Sequence, residues 1–154
     1  MSELSKKKKD QKAYVDWLES FEWNFFITPT TRYQLTLKSA RRAIERYHKF
    51  MSADTKQNCT IFWVAEPFEV KDGFHIHALM SVPDHFHERP YFDVIRENWQ
   101  KVTGSWGCVI NENGMKVKKK ANFIDVQRYD PKRNAGEYCL KYILKEGSDY
   151  DILI

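Results

Sequence analysis

The sequence predicts an α+β fold, a mainly antiparallel sheet with helices packed on it. Short runs rich in aromatic and β-branched residues, WNFFIT, TIFWVAEPF and FHIHALMSV, read as strands. Two other stretches repeat apolar residues at helical spacing. The resulting order is strand, helix, strand, strand, helix, hairpin and strand, helix. A mainly antiparallel sheet covered by helices fits that order.

Residues 1–9 are polar and lysine-rich and are expected to form a disordered basic N-terminus, with residues 10–154 as a single domain. A short helix should follow, with Tyr14, Trp17, Leu18 and Phe21 on one side. The run from Trp23 to Thr28 is a buried strand that Pro29 should stop. Lys38 to Ala53 is an amphipathic helix. Ala40, Ala43, Ile44, Tyr47 and Met51 mark its apolar face, and Lys38, Arg41, Arg42, Arg46 and Lys49 its basic one.

Thr60 to Phe68 and Phe74 to Val82 are two strands, with Lys71-Asp72-Gly73 turning between them. Tyr91 to Val102 is a second amphipathic helix. Asn111 to Gly114 suits a hairpin turn, and Asn122 to Arg128 is a further strand. Pro131 opens a last helix that runs to about Lys145, where Gly147 ends it.

Composition narrows the function classes. A chain of 154 residues with 42% hydrophobic and 30% charged residues has the make-up of a globular domain, not a disordered one. Aromatic residues reach 15%, which suits a bulky core or base-stacking surfaces. The net charge of +4 and the pI of about 8.9 are only mildly basic, so charge placement matters more than its sum. Lysines cluster at 6–9, at 116 and 118–120, and at 141 and 145. These clusters suit a phosphate backbone, or simply a solvated face.

Cys59, Cys108 and Cys139 form no C-x-x-C pair, which argues against a disulfide framework or zinc cage and favours a reducing cytoplasm. No apolar run approaches the ~20 residues of a membrane helix, and the N-terminus lacks a secretory apolar stretch. A soluble, cytoplasmic protein without membrane partners is expected.

Two constellations carry chemistry. His75 and His77 stand two apart in a strand, so both imidazoles leave one face of the sheet and Ile76 the other. If the preceding strand pairs with it as a hairpin, Val64, Glu66 and Phe68 share one face and Glu69 takes the other. Glu66 then stands across from the histidines. Two imidazoles and a carboxylate could hold one divalent ion, magnesium or manganese, and leave room for a phosphate oxygen. As ligands outside the core, they should be removable with little loss of fold. H-x-H is equally compatible with two surface histidines. His48, His85 and His87 have no spacing that ties them to the pair.

The second constellation is EYCLKYILK. Tyr138, Lys141, Tyr142 and Lys145 fall within a wedge of roughly 100° on one helix face. Gly136, Cys139, Leu140, Ile143 and Leu144 take the other face, which should pack. A phenol with a pKa of about 10 is a weak nucleophile at neutral pH, and a nearby cation favours its phenolate. The same pattern fits an amphipathic helix with half-buried tyrosines and snorkelling lysines.

Taken together, these motifs resemble the HUH endonucleases, in particular the rolling-circle replication initiators. FFIT with Pro29 and Thr30 resembles the family's first motif loosely. FHIHALM resembles its H-hydrophobic-H motif closely, and EYCLKYILK resembles its Tyr-x-x-Lys motif twice over. The match spans residues 23–147.

The resemblance implies an RRM-like or ferredoxin-like sheet with metal on its central strands. Its implied activity is nicking and joining of single-stranded DNA, beside an origin hairpin, through a 5′-phosphotyrosyl enzyme and a free 3′-OH. In that scheme His75, His77 and Glu66 hold the metal. Tyr138 attacks first, and Tyr142 is the second nucleophile or a phenol that positions the DNA, with Lys141 and Lys145 assisting. Lys116, Lys118, Lys119, Lys120 and Arg128 are candidate DNA contacts.

Tyrosines after the histidine motif, and a glutamate as third ligand, resemble initiators more than relaxases. The doubled Y-x-x-K is less like single-tyrosine transposases. No G-x-x-x-x-G-K-[ST] is present, so unwinding would fall to a host helicase or to a further domain. The chain ends soon after the third motif, as an excised nuclease domain would. A non-catalytic module that binds single-stranded nucleic acid is the alternative from another class.

Overall fold

The computed structural model describes residues 2–31, 33–88, 90–103, 106–110, 112–120, 124–130, 132, 136, 137, 141 and 147–154. Helix α1 covers Glu3–Glu19, strand β1 Phe25–Pro29 and helix α2 Leu37–Thr55. Strands β2 (Thr60–Pro67) and β3 (Phe74–Ser81) follow, then a 3-10 turn at Asp84–Glu88 and helix α3 (Tyr91–Thr103). Strands β4 (Trp106–Ile110) and β5 (Lys116–Lys120) form a separate hairpin, and β6 (Ile124–Arg128) and β7 (Asp149–Leu153) return to the main sheet.

That sheet has five antiparallel strands in the order β6-β1-β3-β2-β7, so β3 is central. The architecture is α+β, as the sequence predicts. Alternation divides the side chains between two faces. Phe25, Ile27, Ile61, Trp63, Ala65, Ile76, Ala78 and Met80 enter one core with Ala40, Ala43, Ile44, Tyr47 and Met51 of α2 and Ile95, Trp99 and Val102 of α3. Phe62, Val64 and Leu79 take the opposite face and meet Leu18 and Trp23, with Val15 and Phe21 packed beside them. Thus α2 and α3 cover one side of the sheet, and α1 covers part of the other.

Local chemistry sets the helix ends. The Thr36 hydroxyl accepts from the Ser39 amide at 3.0 Å, while the Thr36 amide donates to the Ser39 hydroxyl at 2.8 Å, closing a capping box on α2. Trp23 Nε1 donates to the Leu18 carbonyl at 2.7 Å and ties the exit of α1 to its last turn.

Two sequence expectations change. Residues 3–9 are not a disordered tail but the first turns of α1, capped by the Ser2 hydroxyl, which accepts from the Ser5 amide at 3.3 Å. Straight-chain lysines lose little rotamer freedom in a helix, and the cap satisfies an end amide. Pro29 ends β1, as expected, but from within the ladder. It forms the last rung opposite Ile124, beyond the β1–β3 register that ends at Ile27↔Ala78, where its missing N–H costs the ladder little.

The second change is β7, which the sequence does not announce. It pairs with β2 from Ile61↔Leu153 to Ala65↔Asp149. Arg41 of α2 holds it. Nη1 reaches Asp151 Oδ2 at 2.9 Å, Nη2 reaches Asp149 Oδ2 at 3.0 Å, and the guanidinium lies 5.0 Å from the Trp63 ring centre. Among the described residues no helix is long and apolar enough to cross a membrane.

Candidate metal centre

The β2–β3 ladder pairs Glu66 with His75 and Val64 with His77. Cross-strand partners share a face, and residues two apart on a strand do so as well. Glu66, His75 and His77 therefore converge on the α1 side of the sheet, while Ala65 and Ile76 between them enter the α2–α3 core.

His77 Nε2 lies 3.3 Å from Glu66 Oε1, and His75 Nε2 contacts the same oxygen more closely still. The two imidazole centres are 4.7 Å apart. One ligand atom from each of the three residues lies within 4.8 Å of the others.

Glu66 is 2% exposed and His77 6%, whereas the His75 side chain is 28% exposed. Two of the three groups are thus buried, contrary to the expectation that all stand outside the core. The cause is local packing. Phe26 of β1 stacks on His77 with ring planes 6° apart, and Phe68 leans on His75 with ring centres 4.6 Å apart. The sequence pattern places Phe68 on this face but not Phe26, because the alignment of Phe26 beside His77 depends on β1 pairing with β3.

Burial, and secondarily the charge of His75, pushes His77 down to about 4. A neutral imidazole keeps a lone pair for a cation at neutral pH. The three donors, two nitrogens and a carboxylate oxygen, fit a divalent ion. Burying a carboxylate this deeply calls for a positive partner, which a divalent ion held among the three donors would supply. The exposed side of His75 leaves an approach from solvent.

His48 and His85 take no part. Their Nε2 atoms face the Cys59 carbonyl at 2.7 Å and the Thr55 carbonyl at 2.9 Å.

The other candidates are distributed unevenly. Tyr138, Tyr142 and Lys145 lie outside the described residues. Lys141 is helical and exposed, Glu137 is exposed, and Gly136 is buried. A Cβ on Gly136 would stand 2.9 Å from Glu19 Oε1 and 4.0 Å from Leu18 Cβ, which seats that end of the segment against α1. At the other end, a Cβ on Gly147 would stand 3.9 Å from Pro67 Cγ, next to Glu66 in β2. Both flanks of the tyrosine segment therefore touch elements that border the Glu66–His75–His77 face.

Lys116, Lys118, Lys119 and Lys120 fall on β5, opposite Ile110, Cys108, Gly107 and Trp106. Arg128 ends β6 opposite Phe25, on the α2–α3 side of the sheet. It donates to the Tyr91 hydroxyl and lies 5.6 Å from that ring's centre. The geometry does not bring it to the histidine face.

A family model described as replication-associated protein ORF2 matches residues 24–147, most of the chain and all three of the motifs described above. No curated protein and no solved structure matches it.

Proposed function

The chain belongs to the replication-associated protein ORF2 family, and from that premise we propose that it is a metal-dependent endonuclease and strand transferase for single-stranded DNA. The reaction would start rolling-circle replication of a plasmid or phage by nicking beside an origin hairpin. The observation that supports this most is the convergence of Glu66, His75 and His77, with ligand atoms within 4.8 Å of one another, on the central strands.

In this reading those three residues hold magnesium or manganese. A divalent ion held there would supply Lewis acidity toward the scissile phosphate. Glu66 contributes negative charge, neutral His77 a nitrogen lone pair, and Phe26 and Phe68 keep both imidazoles in their orientations.

The nucleophile comes from the stretch of sequence between Gly136 and Gly147. The Tyr138 phenol gives up its proton and its oxygen attacks phosphorus. The bond to the 3′-oxygen breaks, leaving a free 3′-OH and a 5′-phosphotyrosyl link. Lys141, one turn on, favours the phenolate and the charge on the leaving oxygen. Tyr142 with Lys145 repeats the unit and serves the second transfer or positions the strand. The lysines of β5 would follow the phosphate backbone.

The deciding experiment is a denaturing gel after incubation with labelled single-stranded origin DNA and manganese. A covalent protein–DNA band that disappears in the Tyr138→Phe, Tyr142→Phe double variant supports the proposal. Binding of single-stranded DNA without a covalent band under any divalent metal would leave a non-catalytic binding module.

A further inference from the structure

A cleft of about 560 Å³ opens beside His75, between the loop that leaves β1 and the loop that joins β2 to β3. That volume lies within the roughly 300–1,000 Å³ of small-molecule sites and accommodates one nucleotide. The two loops are fastened together. The Phe74 amide donates to the Leu35 carbonyl at 3.1 Å across them, and the Phe68 amide closes the β2–β3 loop on itself by donating to the Gly73 carbonyl at 3.1 Å. Gly73 has φ +103°, and a Cβ there would stand 2.7 Å from Gln34 Cγ, so only glycine lets the loops approach this closely.

The lining has a specific chemistry. Phe68 packs on His75, and Tyr33 is 49% exposed. Lys71 Nζ sits 4.2 Å from the centre of the Phe68 ring. Gln34 and Asp72 line the same cleft and are exposed. Aromatic rings offer a base a stacking surface, and the lysine offers a phosphate a counter-charge. The carboxylate of Asp72 only accepts hydrogen bonds, and the amide of Gln34 both donates and accepts. Asp72 therefore suits a base that presents an exocyclic N–H₂, as cytosine and adenine do. It disfavours the carbonyl-flanked edge of thymine.

We propose that this cleft binds one amine-bearing nucleobase of the single strand, next to the phosphate presented at His75. Tyr33 stacks on the base, Asp72 and Gln34 read its amine-bearing edge, and Lys71 holds the adjoining phosphate. The proposal rests on the single-stranded DNA reading above and adds a base preference to it.

The test is fluorescence anisotropy with short homopolymers of deoxycytidine, deoxyadenosine and thymidine, on the full chain with manganese. The cytidine and adenosine strands should bind on the order of tenfold more tightly than thymidine, the range of one good base-edge contact. Asp72→Ala should remove that preference, weakening the cytidine and adenosine strands and relieving the penalty on thymidine. Tyr33→Ala should weaken all three strands, and Tyr33→Phe should restore them. Lys71→Ala should weaken all three and flatten the salt dependence.

Equal binding of the three strands overturns the base preference, as does a preference that survives Asp72→Ala. If covalent adducts form normally in that case, the nuclease reading stands and the cleft assignment alone falls. If the preference is present but no adduct forms under any metal, the cleft assignment stands and the nuclease reading falls. Failure to bind any homopolymer overturns the cleft assignment, and adduct formation on origin DNA decides the nuclease reading separately.

Discussion

Glu66 stands directly across the β2–β3 ladder from His75, and its Oε1 also lies 3.3 Å from His77 Nε2. One buried carboxylate oxygen thus faces both imidazoles, and three side chains from two adjacent strands form a single donor set.

Manganese should stabilise the protein through that set. A ligand that binds only the folded state adds about 2.7 kcal/mol at a hundredfold excess over Kd. Thermal unfolding with manganese should therefore show a clear rise over unfolding with a chelator. Glu66→Gln should shift the manganese requirement upward, and Glu66→Ala or His77→Ala should erase the rise together with nicking. Full nicking by a His75→Ala, His77→Ala double variant would remove these residues from the mechanism.

The tyrosines should separate by role. Tyr138→Phe is expected to lose the first covalent adduct, while Tyr142→Phe retains it and fails in the second transfer. Peptide mapping of the adduct by mass spectrometry identifies the linked residue. A link on Tyr142 in the wild-type protein reverses the assignment.

Charge reversal at Lys118, Lys119 and Lys120 should weaken binding to single-stranded DNA and lower its salt dependence. Each lost phosphate contact reduces the slope of log K against log salt by about 0.7 for single strands. An unchanged slope would make β5 a solvated face only.

Stability should fall in alkali because of Cys59. Burial pushes its thiol up to about 11 from an ordinary 9. The unfolded chain ionises first, so the contribution of Cys59 is fully present below pH 9 and is lost as pH rises toward 11. The shift corresponds to about 3 kcal/mol at most. Denaturant midpoints across that window should drop less steeply in Cys59→Ala than in wild type.

Arg41→Ala should loosen β7. The fork onto Asp149 and Asp151 is partly exposed, so a loss of about 1 kcal/mol is expected, read from denaturant unfolding. Arg41→Lys should recover only part of it, because an ammonium cannot span two carboxylates as a planar guanidinium does. Faster hydrogen exchange at β2 amides that pair with β7 would place the loss at that edge.

The sequence by itself determined the fold class, the two amphipathic helices and the shared face of His75 and His77. Each follows from a local period, 3.6 residues for a helix and two for a strand. It also placed Glu66 opposite the histidines once the two strands were read as a hairpin, since the short connection makes them neighbours. The tertiary structure decided what depends on residues far apart in the chain. Asp149-Tyr150-Asp151 looks like a polar tail until Arg41, more than a hundred residues away, neutralises its carboxylates and Tyr14 of α1 meets Tyr150 at a ring distance of 6.4 Å. The stacking of Phe26 on His77 likewise depends on β1 pairing beside β3. Strand order and face coverage arise from long-range pairing and apolar burial summed over the whole sheet, and no local sequence window contains those partners.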